Sequence, residues 1–88
     1  MISIDDVWNR LAKYEGKTFR QIRGKEFRYT IRGETLYLDT TSWSFSKGHL
    51  GRALPLLPLK DTTQVQHLMA PSYMFALLTD DRIVAGDW

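Results

Sequence analysis

Apolar positions along this chain change period at Gly16, and that change divides it into elements. Between Ser3 and Tyr14, the residues Ile4, Val7, Trp8 and Leu11 fall at i, i+3, i+4 and i+7, the spacing of a helix with one buried stripe. A helix over about 4–14 is therefore predicted. Ser3 is placed to cap it, Asp5 and Asp6 complement the positive end of its dipole, Lys13 the negative end, and Gly16 stops it.

Beyond Gly16 the period drops to two. Phe27, Tyr29 and Ile31 alternate with Glu26, Arg28, Thr30 and Arg32, the pattern of a strand with one face buried. Gly33-Glu34 reads as a tight turn, and Thr35 to Asp39 as the returning strand of a hairpin. Thr18 to Arg23 is an earlier strand turning at Gly24-Lys25, with a parity conflict: Phe19 and Ile22 are three apart and share a face only across a bulge. A fourth short strand is expected around Trp43 and Phe45.

The second half reads as helices. Ser46 caps a segment over about 47–54 with Leu50, Ala53 and Leu54 on its inner side, and Pro55 and Pro58 end it. Gly48 and Gly51 cost that helix roughly 1 kcal/mol each relative to alanine, so packing must hold it. In 59–69, Asp61 and Gln64 resemble a capping box before Val65, Leu68 and Met69 at helical spacing, although Val65, His67 and Met69 also alternate as a strand would; helix is preferred. Pro71 opens a buried helix over about 71–79, and Asp80-Asp81, Ile83 and Val84 lead into a tail expected to be loose. The expected architecture is α+β: an N-terminal helix, a three- to four-stranded antiparallel meander, then two or three short helices packed on one sheet face.

Composition narrows what such a fold is for. Eighty-eight residues are enough for one core, so 1–88 is expected to be a single domain. An apolar share of 43% and a charged share of 25% exclude the apolar-poor signature of disorder. Cysteine is absent, which removes disulfides, thiolate nucleophiles and most structural zinc arrangements. The N-terminus turns acidic at Asp5-Asp6 and no run of about 20 apolar residues occurs, so a cytoplasmic protein with no membrane partner is expected.

No spacing converges on catalysis. Asp80 and Asp81 are neighbours whose side chains diverge on a helix. His49 and His67 have no companions at ligand spacing, so no metal is expected. Ser42, Ser44 and Ser46 lie in no nucleophile elbow, and the segment Ser46 to Arg52 lacks the Gly-Lys-Ser/Thr ending of a phosphate loop. Neither an enzyme, a cofactor nor a small-molecule substrate is expected.

Charge distribution supplies the one lead. The net charge is only +2, yet Lys17 to Glu34 holds six basic residues against two acidic ones, leaving the rest of the chain net acidic. Most aromatics (Trp8, Phe19, Phe27, Tyr29, Trp43, Phe45, Tyr73, Phe75) are expected in the core, where a domain this size needs them. Tyr37 is the exception: with Leu36 and Leu38 inward, it shares the outer face with Arg28, Thr30 and Arg32. A small binding or accessory module is expected, contacting nucleic acid through this basic face. Arg20, Arg23, Lys25, Arg28 and Arg32 would lie on phosphates and Tyr37 would stack on a base. The alternative is a protein-interaction or self-associating domain using the apolar 54–59 segment, where four leucines surround two prolines.

Overall fold

In the computed structural model, which describes residues 2–88, helix α1 spans Ile4–Lys13. Its cap is the expected one: the Ser3 hydroxyl accepts the Asp6 N–H at 3.1 Å. Ten residues are too few for a stable isolated helix. What holds this one is burial of Val7, Trp8 and Leu11, each worth on the order of 2 kcal/mol. Gly16, at φ +83°, takes the chain out of the helix, and its N–H donates to the Tyr29 carbonyl at 3.2 Å.

The antiparallel meander follows. Strand β1 (Phe19–Arg20) pairs with β2 (Glu26–Phe27), and β3 (Tyr29–Arg32), β4 (Thr35–Leu38) and β5 (Ser44–Ser46) form a three-stranded sheet in that order. The expected strand over 26–32 is thus divided at Arg28. There the backbone N–H is taken by the Asp39 side chain at 2.8 Å rather than by a neighbouring strand, while the Arg28 carbonyl still accepts from the Asp39 N–H at 3.1 Å. Parity survives the break: Phe27 and Tyr29 are buried, Ile31 half-buried, and Arg28, Thr30 and Arg32 exposed. Gly33, at φ +61°, occupies the first position of the two-residue β3–β4 loop, where a mirror-image turn takes glycine.

The strand expected over Thr18 to Arg23 is shorter than its pattern suggested. Gln21 to Lys25 is a closed turn, with Gln21 N–H donating to Lys25 O and Gly24 N–H to Gln21 O, both at 2.8 Å. This removes the parity conflict without a bulge: Ile22 shares no face with Phe19 and is 75% exposed.

Helix α2 (Lys47–Gly51) is capped by Ser46, whose hydroxyl accepts the His49 N–H at 3.0 Å. It ends earlier than 54 because the chain tightens to three-residue hydrogen bonds, Arg52 N–H to His49 O and Ala53 N–H to Leu50 O, before a 3-10 turn at Leu54–Leu56 that contains Pro55, which has no N–H to donate. The capping box of Asp61 and Gln64 forms as expected, yet it starts a 3-10 helix, Thr62–Val65, instead of an α-helix. Val65 and Leu68 are buried there and Met69 is exposed. Helix α3 (Pro71–Thr79) matches its expected range and buries Met74 to Leu78.

The tail expected to be loose is anchored. Asp80 caps helix α4 (Asp81–Val84) through the Arg82 N–H at 2.9 Å. Arg10 donates to the carbonyls of Ile83 at 2.8 Å and Val84 at 3.0 Å and pairs with Asp87. The Trp88 indole N–H reaches the Leu78 carbonyl at 2.8 Å.

One core joins α1, the inner face of the meander and α3. Phe19 and Tyr29 lie 5.4 Å apart between ring centres, and Phe27 meets Tyr73 edge-on at 4.9 Å. The Tyr29 hydroxyl donates to the Leu11 carbonyl at 2.6 Å, stitching helix to sheet, and burial pushes its pKa upward. Arg82 lies 4.0 Å from the Phe19 ring centre and donates to Thr18 O at 3.0 Å. Trp43 departs from expectation: it is 49% exposed rather than in the core, lining an open recess with Pro71, Ser72 and Tyr73 at the start of α3.

Candidate nucleic-acid interface

The β3–β4 register decides which side chains meet on the outer face. Thr30 lies opposite Tyr37, Arg32 opposite Thr35, and Tyr37 opposite Ser44 of β5. Tyr37, 46% exposed, therefore sits in the middle row. Arg28 and Arg32 occupy the diagonal positions before and after it on the adjacent chain, within reach of long side chains at roughly 7–8 Å. Thr30, Thr35, Ser44 and Ser46 complete the face with small polar groups, so nothing bulkier than Tyr37 rises from the three-stranded sheet.

Of the predicted cations, Arg28 and Arg32 are brought together around Tyr37, whereas Arg20 stands apart chemically. Arg20 is opposite Glu26 in the β1–β2 register and bonded to it at 2.9 Å. Arg23 and Lys25 lie on the closed turn between β1 and β2, both exposed. Among the described residues, Arg23, Lys25, Arg28 and Arg32 have no carboxylate within 4.0 Å. Arg28 is steered instead by a neutral partner, its Nε donating to the Thr18 hydroxyl at 3.2 Å. Acids do sit beside this group, and two are turned to backbone amides rather than to guanidinium groups: Asp39 accepts the Arg28 N–H at 2.8 Å and Glu15 the Ile31 N–H at 2.7 Å.

Two residues of interest were not singled out from the sequence. Ile22 is an apolar side chain at the tip of the turn that carries Arg23 and Lys25. Trp43 borders a recess with Gln21, Thr41 and Tyr73. Their exposure had a weak signal in the sequence: Ile22 breaks the alternation of its segment, and Trp43 stands next to the turn-rich stretch Asp39 to Ser42.

The histidines have separate fates. His49 Nε2 accepts the Met69 N–H at 2.6 Å, and burial, aided by the charges of Arg52 and His67, holds its pKa below the ordinary value. No cluster of three His, Asp or Glu side chains is placed to hold a metal, and no helix is long and apolar enough to cross a membrane, among the described residues. In the 54–59 segment, Leu54, Leu56 and Leu57 are half-buried against the core and Leu59 is buried.

Compared with known proteins, the chain matches no family model, no curated protein and no solved structure.

Proposed function

We propose that this chain is a small non-enzymatic binding module that contacts nucleic acid through the outer face of its meander. One observation carries the reading: the β3–β4 register sets an exposed tyrosine between two arginines that, among the described residues, have no carboxylate within 4.0 Å, on an open polar sheet face. An aromatic ring on an open sheet offers a stacking platform for a base, and guanidinium groups on either side offer phosphate contacts. Arg28 and Arg32 bind phosphates on either side of the base on Tyr37, Arg23 and Lys25 extend the track, and Arg20 contributes only when Glu26 releases it. Such a flat platform suits a single strand, whose bases are free to turn toward the ring.

A titration of labelled single strands across a range of salt concentrations tests this. Affinity that falls steeply with salt and drops on Tyr37→Ala is the expected result; salt-insensitive or absent binding to both DNA and RNA removes the reading. Self-association through 54–59, the second reading, has less to stand on, because those leucines lean on the chain's own core. A concentration-dependent dimer in sedimentation that Leu57→Glu abolishes would restore it.

A further inference from the structure

A recess with apolar walls beside Trp43 adjoins the basic turn. Gln21, Thr41, Trp43, Pro71, Ser72 and Tyr73 line it, with a volume of about 430 Å3, inside the range of sites that take a small ligand. Two of its walls are fixed. The Tyr73 ring packs edge-on against Phe27 at 4.9 Å and its hydroxyl shares a hydrogen bond with Thr40 at 2.8 Å. The Gln21 backbone is clamped by both hydrogen bonds of the turn. The Trp43 indole is half exposed, a large flat apolar surface left open to solvent next to these walls.

The polar groups in the recess are neutral and open to a partner. The Gln21 side-chain amide, one donor group and one acceptor, makes no hydrogen bond to the described residues, and neither does the Ser72 hydroxyl. No carboxylate lines the hollow. Gln21 also begins the closed turn on which Arg23 and Lys25 stand without acidic partners. A ligand that fits this set is flat, aromatic, edged with both donors and acceptors, and attached to negative charge.

We infer that this recess takes one unstacked nucleobase of the bound strand. The base stacks on Trp43, the Gln21 amide and Ser72 hydroxyl read its polar edge, and the adjoining phosphates rest on Arg23 and Lys25. The inference rests on the nucleic-acid reading above and extends it to a second base position, at the end of the sheet away from the Gly33-Glu34 turn. A peptide would meet the same apolar walls, but its partner charge would have to be acidic and its amides would find only two neutral groups to pair with.

Tryptophan emission provides a test specific to this recess. Of the three tryptophans, Trp8 is buried and Trp88 is half-buried with its indole N–H bonded to Leu78, so a stacked base quenches chiefly Trp43. A short single strand should quench the emission; the same strand with abasic positions should bind about tenfold more weakly and leave the emission unchanged. Trp43→Phe should keep most of the affinity and lose the quench. Trp43→Ala, confirmed folded by circular dichroism, should narrow the gap between intact and abasic strands to what stacking on Tyr37 leaves, and adding Tyr37→Ala should close it. An abasic loss that Trp43→Ala leaves undiminished and Tyr37→Ala abolishes overturns this inference while leaving the basic face in place. Quenching of equal depth by a mononucleotide at the same base concentration overturns it in favour of a free-nucleotide site. If no strand binds at any salt concentration, the reading of the face fails first and this inference fails with it.

Discussion

Replacing Glu26 with Gln should make nucleic-acid binding more salt-sensitive, although Glu26 is not part of the proposed contact surface. Four cations of the meander, Arg23, Lys25, Arg28 and Arg32, have no carboxylate within 4.0 Å among the described residues, while Arg20 is held by Glu26 at 2.9 Å. Each phosphate neutralised on a single strand contributes about −0.7 to the slope of log affinity against log salt. Four contacts therefore give a slope near −3 for the unmodified chain. Arg32→Gln should bring it to about −2, and Arg20→Gln should barely move it, because Arg20 has already exchanged its counterion for Glu26. Glu26→Gln frees Arg20 for a fifth phosphate and should steepen the slope to about −3.5. The fold is a fair control: both partners of this ion pair are more than half exposed, at 66% and 59%, and such pairs contribute about 0–1 kcal/mol. The melting temperature of E26Q should therefore fall by no more than about 4–8 °C. Fluorescence anisotropy of a labelled strand at several salt concentrations, with a thermal melt of each variant, measures all of these. The reasoning fails if Arg20→Gln costs as much slope as Arg32→Gln, or if E26Q leaves the slope where it was.

Further outcomes follow from individual contacts. Asp39→Asn keeps an oxygen for the Arg28 N–H but removes a charge about 7 Å from a phosphate on Arg28, a repulsion of about 0.6 kcal/mol in water; binding should tighten about threefold, and unchanged affinity alongside a weakened Arg28→Gln would contradict the placement of that phosphate. Tyr29→Phe loses the bond to the Leu11 carbonyl, but that carbonyl also accepts the Tyr14 N–H at 3.3 Å and is not orphaned, so calorimetry should show a loss near 1 kcal/mol rather than the several expected for a stranded acceptor. His49 has a lowered pKa in the fold and accepts the Met69 N–H only when neutral. Its contribution to stability is thus complete above the unfolded histidine value of about 6.5 and is lost as pH falls toward the folded one. Urea midpoints should decline on the acid side of about pH 6.5, and H49Q should flatten that decline.

How much of this was legible in the sequence depends on whether periodicity or partner choice governed each segment. Helix α1 was legible because its apolar spacing and its Ser3 cap agree with the outcome, and helix α3 because Pro71 opens it and Tyr73 to Leu78 is apolar on every side and free of β-branching. The alternation from Phe27 to Arg32 correctly placed the arginines outside, since a side chain's face follows from parity alone. Where it failed, a hydrogen-bond partner distant in sequence had intervened. Asp39 takes the Arg28 amide and divides the strand, and Arg10 ties down the tail from the other end of the chain; the capping box at Asp61 is a local exception, formed as expected but opening a helix that is 3-10 from its start. The exposure of the candidate cations was legible, but their grouping was not: Arg20 and Arg32 look equivalent in sequence, and only the β1–β2 register assigns Glu26 to the first of them. Trp43 was missed because a tryptophan two residues from a buried phenylalanine has core parity, and parity cannot tell whether the helix facing that position packs onto it or leaves a recess.

Several perturbed groups of this protein have an owner in the fold. Tyr29 is shifted by burial while it bonds α1 to the sheet. Burial alone would raise the pKa of Asp80, but the hydrogen bonds and charge of Arg82 outweigh it and hold the carboxyl low, in the service of a helix cap. Arg82 is raised in turn by that bond with Asp80 while it covers the Phe19 ring. In an acid–base catalyst, shifted groups converge on the surface that meets substrate, because that is where a tuned proton is used. Here the surface that is open, flat and basic carries guanidinium and ammonium groups with a phenol ring, whose value lies in fixed charge and stacking area. Fixed charge and stacking area on that face are what the proposed contact with a polyanion draws on.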